Sequence, residues 1–367
     1  MYNRAESREP RARTVDSIVS KRIHSLRFLL IVFVVFIHNT VIDRGVNFLD
    51  GTQTFEVPLY VAKAKELVGT FTATAVPLFF LIAGFLLYTK EPTWRENLKK
   101  KCRTILLPYM LWGVLVLFFL FAAQSISFTK QYFANIIIRD FTLIDFIDAF
   151  IGKFTAARDY QYPLVYQFWF LRDLFVLNLF FVIIKKSIDI CPGGTFVLFF
   201  VLWVGNIPIY IVDSGALFFF ALGYYIIKYN ISYTYIDNIK TGDMGIMYLI
   251  AIITSLFFRE KVAISSYITI VIGVLFFIKV SYTLIHNRTL YNMLTWLEEY
   301  AFWIYATHGI AIAVLIKLSV KIMPMNGAWL LAHYFMVTSL CIFILLIIGI
   351  LFKKIFPKLF LILSGGR

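Results

Sequence analysis

Ten apolar runs, near residues 24–42, 67–88, 105–123, 166–184, 195–212, 214–228, 244–259, 263–285, 300–320 and 328–352, leave this chain little choice of fold. One helical crossing of a hydrocarbon core takes about 20 apolar residues, and only a helix or a closed barrel satisfies its own backbone where water is absent. With 60% hydrophobic and 15% charged residues in 367, the chain is too apolar for a soluble protein. The expected fold class is an all-α polytopic membrane protein with about ten transmembrane helices. Run 214–228 follows 195–212 so closely that the pair is expected to be a tight helical hairpin.

Positive charge orients the bundle. The first 27 residues carry seven Lys or Arg and the connector 89–104 carries six, whereas segment 43–66 carries three and the longer 124–165 carries four. The denser segments are expected inside, which places both termini in the cytoplasm when the helix count is even. This topology accounts for the net charge of +14; no nucleic-acid motif accompanies it, and the partner expected from composition is the lipid bilayer. Residues 1–23 read as a basic, disordered tail with no cleavable signal, 24–356 as one membrane domain and 357–367 as a short cytoplasmic tail. In the long outer segment, "FTLIDFIDAFIGKF" places apolar residues on one helical face and reads as an interfacial helix. Cys102, Cys191 and Cys341 have no CxxC spacing, so neither a disulfide nor a metal site is expected.

Ionisable residues inside the apolar runs are the functional candidates, because such groups are costly there and usually face a protein interior or a wet cavity. "RFLLIVFVVFIH" separates Arg27 and His38 by eleven residues, about 20° past three full turns and ~16 Å along a helix. The two share a face, which His24 extends. Taken alone, Arg27 also reads as a snorkelling anchor and His38 as a buried histidine satisfied by a neighbour. Arg172 and Asp173 lie inside the fourth run; adjacent residues project about 100° apart, so each is expected to have its partner on another helix. Glu298 and Glu299 stand at the mouth of the ninth run with His308 two to three turns inside it, and Pro77 and Pro108 are expected to kink their helices.

Five stretches in order resemble the acyltransferase 3 family of bacterial integral-membrane acyltransferases. They are the Arg27 and His38 pair; "VPLFFLIAGFLLY", similar to the family's "VPLFFLISGFLL"; "KKCRTILLPYMLW", similar to "KRxxRLLxPYxxW"; "FWFLRDLFVL", similar to "WFLxxLF"; and "YAFWIYATHG", similar to "SxxIYLxH". Glu298 and Glu299 depart from the usual Gly-Lys pair, Ala306 and Thr307 replace leucine-rich positions, and the esterase-like domain of some members is not expected here.

The resemblance implies a multi-pass protein of the bacterial cytoplasmic membrane that transfers an acyl group, usually acetyl from acetyl-CoA, to a saccharide acceptor, without a metal. A sugar hydroxyl attacking a thioester needs a proton acceptor, and histidine, with an ordinary pKa near neutrality, suits that role. His38 is the candidate, either as base in a ternary complex or as carrier of the acyl group. Arg27, Arg103, Lys99 and Lys100 are candidates for the phosphates of acyl-CoA at the inner side, Arg27 serving catalysis as well. Arg172 and His308 are candidates for the acceptor or the oxyanion.

A transporter of lipid-linked sugar would be expected to show internal repeats, and none is evident. A membrane glycosyltransferase would need acidic residues in an outer loop, where Asp145 and Asp148 are the best on offer. The topology makes the first prediction. In a cysteine-free background, a cysteine replacing Lys100 should be protected from membrane-impermeant reagent in intact cells and labelled after permeabilisation; labelling in intact cells would invert the orientation.

Overall fold

The computed structural model describes residues 17–40, 42, 57–130, 137–152, 162–207, 209, 212–232, 234–258, 262 and 264–366. In chain order its helices are α1 (Ser17–Ile37), α2 (Leu59–Thr72), α3 (Ala75–Lys90), α4 (Trp94–Lys101), α5 (Leu107–Ser125), α6 (Ser127–Lys130), α7 (Leu143–Ile151), α8 (Trp169–Leu179) and α9 (Phe181–Ile190). There follow α10 (Pro192–Val204), α11 (Ser214–Lys228), α12 (Thr234–Asp237), α13 (Thr241–Phe258), α14 (Ile264–His286), α15 (Arg288–Glu298), α16 (Ala301–Ser319), α17 (Gly327–Ile355) and α18 (Pro357–Leu363). Among the described residues no strand forms, only an isolated bridge between Ile209 and Val212.

Each apolar run contributes a helix among the described residues, but the helix lengths support fewer than ten full crossings. Among the described residues, six helical stretches are long and apolar enough to cross a membrane, or seven when α8 and α9, bent by 59° at Phe180, count as one with the 3₁₀ turn before them. The expected run 195–212 ends early: α10 has 13 residues and α11 has 15, about 20 Å each by helical rise. Helix α1 falls short in composition, because it carries Lys21, Arg22 and Arg27. Its surroundings explain the charge. It packs against α2, α3, α14, α15, α16 and α17, so its neighbours are protein on most sides. Phe33 meets Phe71 and Phe277 edge-on at 5.3 and 5.2 Å, fixing α1 between α2 and α14.

Residues 17–23, expected in the basic tail, are the first turns of α1, while 1–16 lie outside the described residues. Pro77 falls in the first turn of α3, just after the break from α2, where its missing N–H costs little. Pro108 follows a π-helical turn, Cys102–Leu106, that widens the backbone ahead of its ring. Beside it, Gly365 has a φ of +69° and a Cβ there would lie 2.4 Å from the Thr104 carbonyl oxygen, so glycine alone fits. The expected terminal tail is thereby docked: Trp112 Nε1 donates to the Leu363 carbonyl at 3.0 Å, and Phe360 stacks on Trp303.

The helix expected in segment 124–165 forms as α7, started by a capping box between Thr142 and Asp145. The bonds from Thr142 hold the Asp145 carboxyl below its ordinary pKa, a structural role for a residue that a glycosyltransferase reading would have used. Leu143, Ile144, Ile147 and Ile151 are exposed, while Phe150 packs on Gly113 of α5.

The backbones of α3 and α11 approach closely. A Cβ on Gly84 would fall 2.1 Å from the Phe220 carbonyl oxygen, and one on Gly223 would fall 2.3 Å from the Phe85 nitrogen. Small residues at such a crossing let helices touch where lipid offers no hydrophobic drive. Gly69 in α2 has nothing within 4 Å of that position. Gly84→Ala should therefore lower the melting temperature of detergent-purified protein, by about 1–3 kcal/mol of overpacking, whereas Gly69→Ala should leave it unchanged or raise it. Equal behaviour of the two variants would show that the crossing is not tight.

Candidate functional site

Helix α1 ends at Ile37, and His38 follows in the closing turn, its N–H on the Val34 carbonyl at 3.2 Å. The next residue anchors it. Fully buried Asn39 donates through Nδ2 to the Tyr334 carbonyl and the Thr338 hydroxyl, both at 3.0 Å, and Tyr334 donates its hydroxyl to the Phe36 carbonyl at 3.0 Å. Helix α17 thus grips the residues on either side of His38.

From α16, His308 reaches the same point. Its Nε2 lies 2.8 Å from His38 Nδ1, and its Nδ1 lies 2.7 Å from the Tyr305 carbonyl and 3.2 Å from that of Ile304. The partners decide the protons. A carbonyl oxygen only accepts, so His308 Nδ1 carries hydrogen and, in the neutral ring, Nε2 is an acceptor. His38 Nδ1 must then be the donor between the rings, which leaves the lone pair of neutral His38 on Nε2. His308 is fully buried whereas His38 is partly buried, so the free nitrogen belongs to the less enclosed of the two rings.

Other side chains hold this geometry. Tyr166 stands edge-on to His38 with ring centres 4.8 Å apart. Tyr305 donates its hydroxyl to the Gln167 carbonyl at 2.7 Å. The Gln167 side chain lies so close to Gly309 that a Cβ there would meet Oε1 at 2.5 Å, so a larger residue after His308 would displace the Gln167 amide. Tyr166, Gln167, Asn39, Tyr334 and Thr338 were not identified from sequence; "NT" after His38 and "QFWF" at the head of the fourth run were the available signals.

Arg27 lies elsewhere along α1. Its Nη1 donates to Glu298 Oε1 at 2.5 Å, and His24 Nδ1 lies 2.6 Å from Oε2 of the same carboxylate. Burial opposes ionisation of Glu298, but the bonds from His24 and Arg27 outweigh it and hold the carboxyl below its ordinary pKa. The departure at Glu298 thus supplies the counter-charge to Arg27, and the face shared by Arg27 and His38 is matched on the α15–α16 segment by Glu298 and His308. Lys99, Lys100 and Arg103, the other phosphate candidates, are exposed on α4 and the π turn, whereas Arg27 faces α15.

Arg172 and Asp173 each have the expected partner on another element, but, against expectation, they also pair with each other. Arg172 Nη2 and Nε donate to Asp173 Oδ1 at 3.0 and 3.1 Å, Nη1 donates to the Ile151 carbonyl at 2.7 Å, and Asp173 Oδ2 accepts the Asp213 N–H at 2.8 Å. Their Cα–Cβ directions diverge, but the long guanidinium arm folds back, because an ion buried without a partner costs more than the bend.

A second buried cluster escaped the sequence reading. Arg22 binds Asp237 through two bonds of 2.8 and 3.0 Å and also donates to Ser281, while Lys279 donates to the Asp237 carbonyl at 2.6 Å. Lys279 inside an apolar run was its signal. Among the described residues, no group of three or more His, Cys, Asp or Glu side chains could hold a metal ion.

With this geometry in hand, comparison with known proteins gives one match: a family model described as an acyltransferase domain, Acyl_transf_3, aligns with residues 20–352. Neither the curated proteins nor the solved structures yield a match.

Glu298 carries this subsection's prediction. Its folded-state pKa is depressed, so its contribution to stability is complete above the ordinary carboxylate range and is lost as pH falls through the lower folded value. Glu298→Gln should cost about 2 kcal/mol at neutral pH, typical of a hydrogen bond to a charged group. It should also flatten the fall in melting temperature between neutral and acidic pH; an unchanged profile would mean the pair contributes nothing to folding.

Proposed function

The chain belongs to the acyltransferase 3 family, a family of multi-pass membrane acyltransferases, and from that premise we propose that it moves an acetyl group from cytoplasmic acetyl-CoA to a hydroxyl of a cell-surface polysaccharide or lipid-linked sugar. The observation that carries this reading is the bond from His308 to His38, since it leaves the lone pair of the neutral ring on His38 Nε2, on the less buried of the two rings and at one end of a central helix. His38 Nε2 accepts the hydroxyl proton as the oxygen attacks the thioester carbonyl. The C–S bond then breaks, and the imidazolium returns the proton to the departing thiolate. While the ring is charged, its Nδ1–H points at the lone pair of His308, whose own N–H is held by two carbonyls. His308 is therefore a positioning residue, comparable to the third member of a hydrolase triad but neutral.

Acetyl-CoA, made in the cytoplasm, would enter from the Arg27 end with its phosphates near Arg27 and the exposed Lys99, Lys100 and Arg103. The acceptor would arrive from the other end. Arg172 is already engaged by Asp173 and Ile151, so we assign it to holding α8 rather than the oxyanion.

Transfer from radiolabelled acetyl-CoA in membranes with matched protein levels tests the assignment. His38→Gln should reduce the rate roughly 10²–10⁴-fold. His308→Phe should lower kcat with little change in the KM for acetyl-CoA, because it removes the acceptor that orients His38 and not a donor contact. Parental transfer by His38→Gln would remove the base from the mechanism.

A further inference from the structure

Asn39, Thr338, His308 and Gln167 are all buried near His38, and each makes hydrogen bonds within the protein. His333 on α17 is fully buried too, yet neither its Nδ1 nor its Nε2 has a hydrogen-bond partner among the described residues. A neutral imidazole has one N–H donor and one lone pair, and leaving both unmade in a protein interior is unfavourable compared with an apolar ring of similar size. Ser265 and Ser364 also bury an unpartnered hydroxyl, but each is a single rotatable group outside α1, α16 and α17.

The position of His333 gives the orphaned ring a use. It is adjacent to Tyr334, whose carbonyl and hydroxyl hold Asn39 and Phe36, and five residues before Thr338, about 8 Å along the helix axis. Helices α16 and α17 run antiparallel: Trp303 near the start of α16 donates to the Leu345 carbonyl in the later half of α17. His333, early in α17, therefore lies beyond His308 on the side away from Arg27 and Glu298. Donor charges collect at one end of the bundle and this ring lies toward the other.

The missing partners also have a chemistry. A hydroxyl both donates and accepts, as a neutral imidazole does, and two hydroxyls on one sugar can serve the two ring nitrogens. A phosphate or carboxylate only accepts, and an acyl chain does neither. Resting on the acyltransferase reading, we propose that His333 is an acceptor-binding residue whose N–H and lone pair hold hydroxyls of a saccharide reaching His38 from the end opposite Arg27. The cost of burying the ring without partners in the free protein is offset when the saccharide binds.

The test uses the full chain in lipid nanodiscs, radiolabelled acetyl-CoA as donor and octyl β-glucoside as the saccharide probe, with the parent, His333→Phe and His333→Asn. His333→Phe should raise the half-saturating probe concentration roughly tenfold, the loss expected for one or more neutral hydrogen bonds. The KM for acetyl-CoA and the slow hydrolysis measured without probe should stay at parental values, and the melting temperature should rise because an unpaired polar ring is gone. His333→Asn, which keeps a donor and an acceptor, should recover part of the probe affinity. A higher melting temperature with unchanged half-saturation in His333→Phe would make the residue a structural orphan and overturn the proposal, as would a change confined to the donor KM. A parent that hydrolyses acetyl-CoA without acetylating the probe overturns the saccharide assignment alone. A parent that does neither overturns the acyltransferase reading beneath it.

Discussion

The candidate site depends on α1 and the α15–α16 segment being joined at two levels by polar contacts. Near one end the Arg27 guanidinium meets Glu298; near the other the His38 imidazole meets His308. The two partner pairs are separated by eleven residues on α1 and ten along the α15–α16 segment, so each contact favours the register of the other. In an apolar surrounding this constraint is strong, because sliding either helix would strand an ion and an imidazole at once. Grip from α17 on Asn39 and Phe36 makes the end of α1 rigid where the chemistry is proposed to occur.

Buried charge elsewhere follows the same rule by different means. Arg22 finds its counter-ion on α12, across more than two hundred residues of chain, while Arg172 finds it on the next residue and completes its shell with the Ile151 carbonyl. Both solutions leave the guanidinium with a carboxylate and a carbonyl, and both tie one helix to another. Asp173 also accepts from the backbone of Asp213, so a single carboxylate links α8 to the start of α11. These ions organise connections that apolar packing alone would leave imprecise. His333 is the contrast, a polar ring given burial without partners. The Arg22 and Arg172 charges are satisfied internally, and a buried ring without a hydrogen-bond partner among the described residues is where an incoming ligand has most to add.

Much of this protein was legible in sequence because membrane helices advertise themselves locally. Length and composition of an apolar run report its own preference for lipid, so each of the ten runs contributes a helix among the described residues. The eleven-residue spacing of Arg27 and His38 reports a shared face, and the ordered motifs pointed to a family match that covers residues 20–352. Where the reading failed, the cause was local as well: counting crossings assumed that each run is straight and lipid-facing, whereas α1 is wrapped by protein, α8 and α9 bend, and α10 stops early.

What sequence alone determined was therefore the class of solvent each segment prefers, the helices that follow from it, and which ionisable residues are too costly to be incidental. Tertiary structure decided the partners. That Arg27 pairs with Glu298, that His308 sets the proton on His38, that Arg172 folds onto its neighbour and that His333 is left without a bond all depend on packing among helices. The two contacts that join α1 to the α15–α16 segment link residues 270 and 271 positions apart. Periodicity expresses the environment of one helix along its own axis. Which helix supplies that environment is settled only when many side chains are packed together at once, and a hydrogen-bonded proton takes its place last, from whatever acceptor the packing has brought within reach.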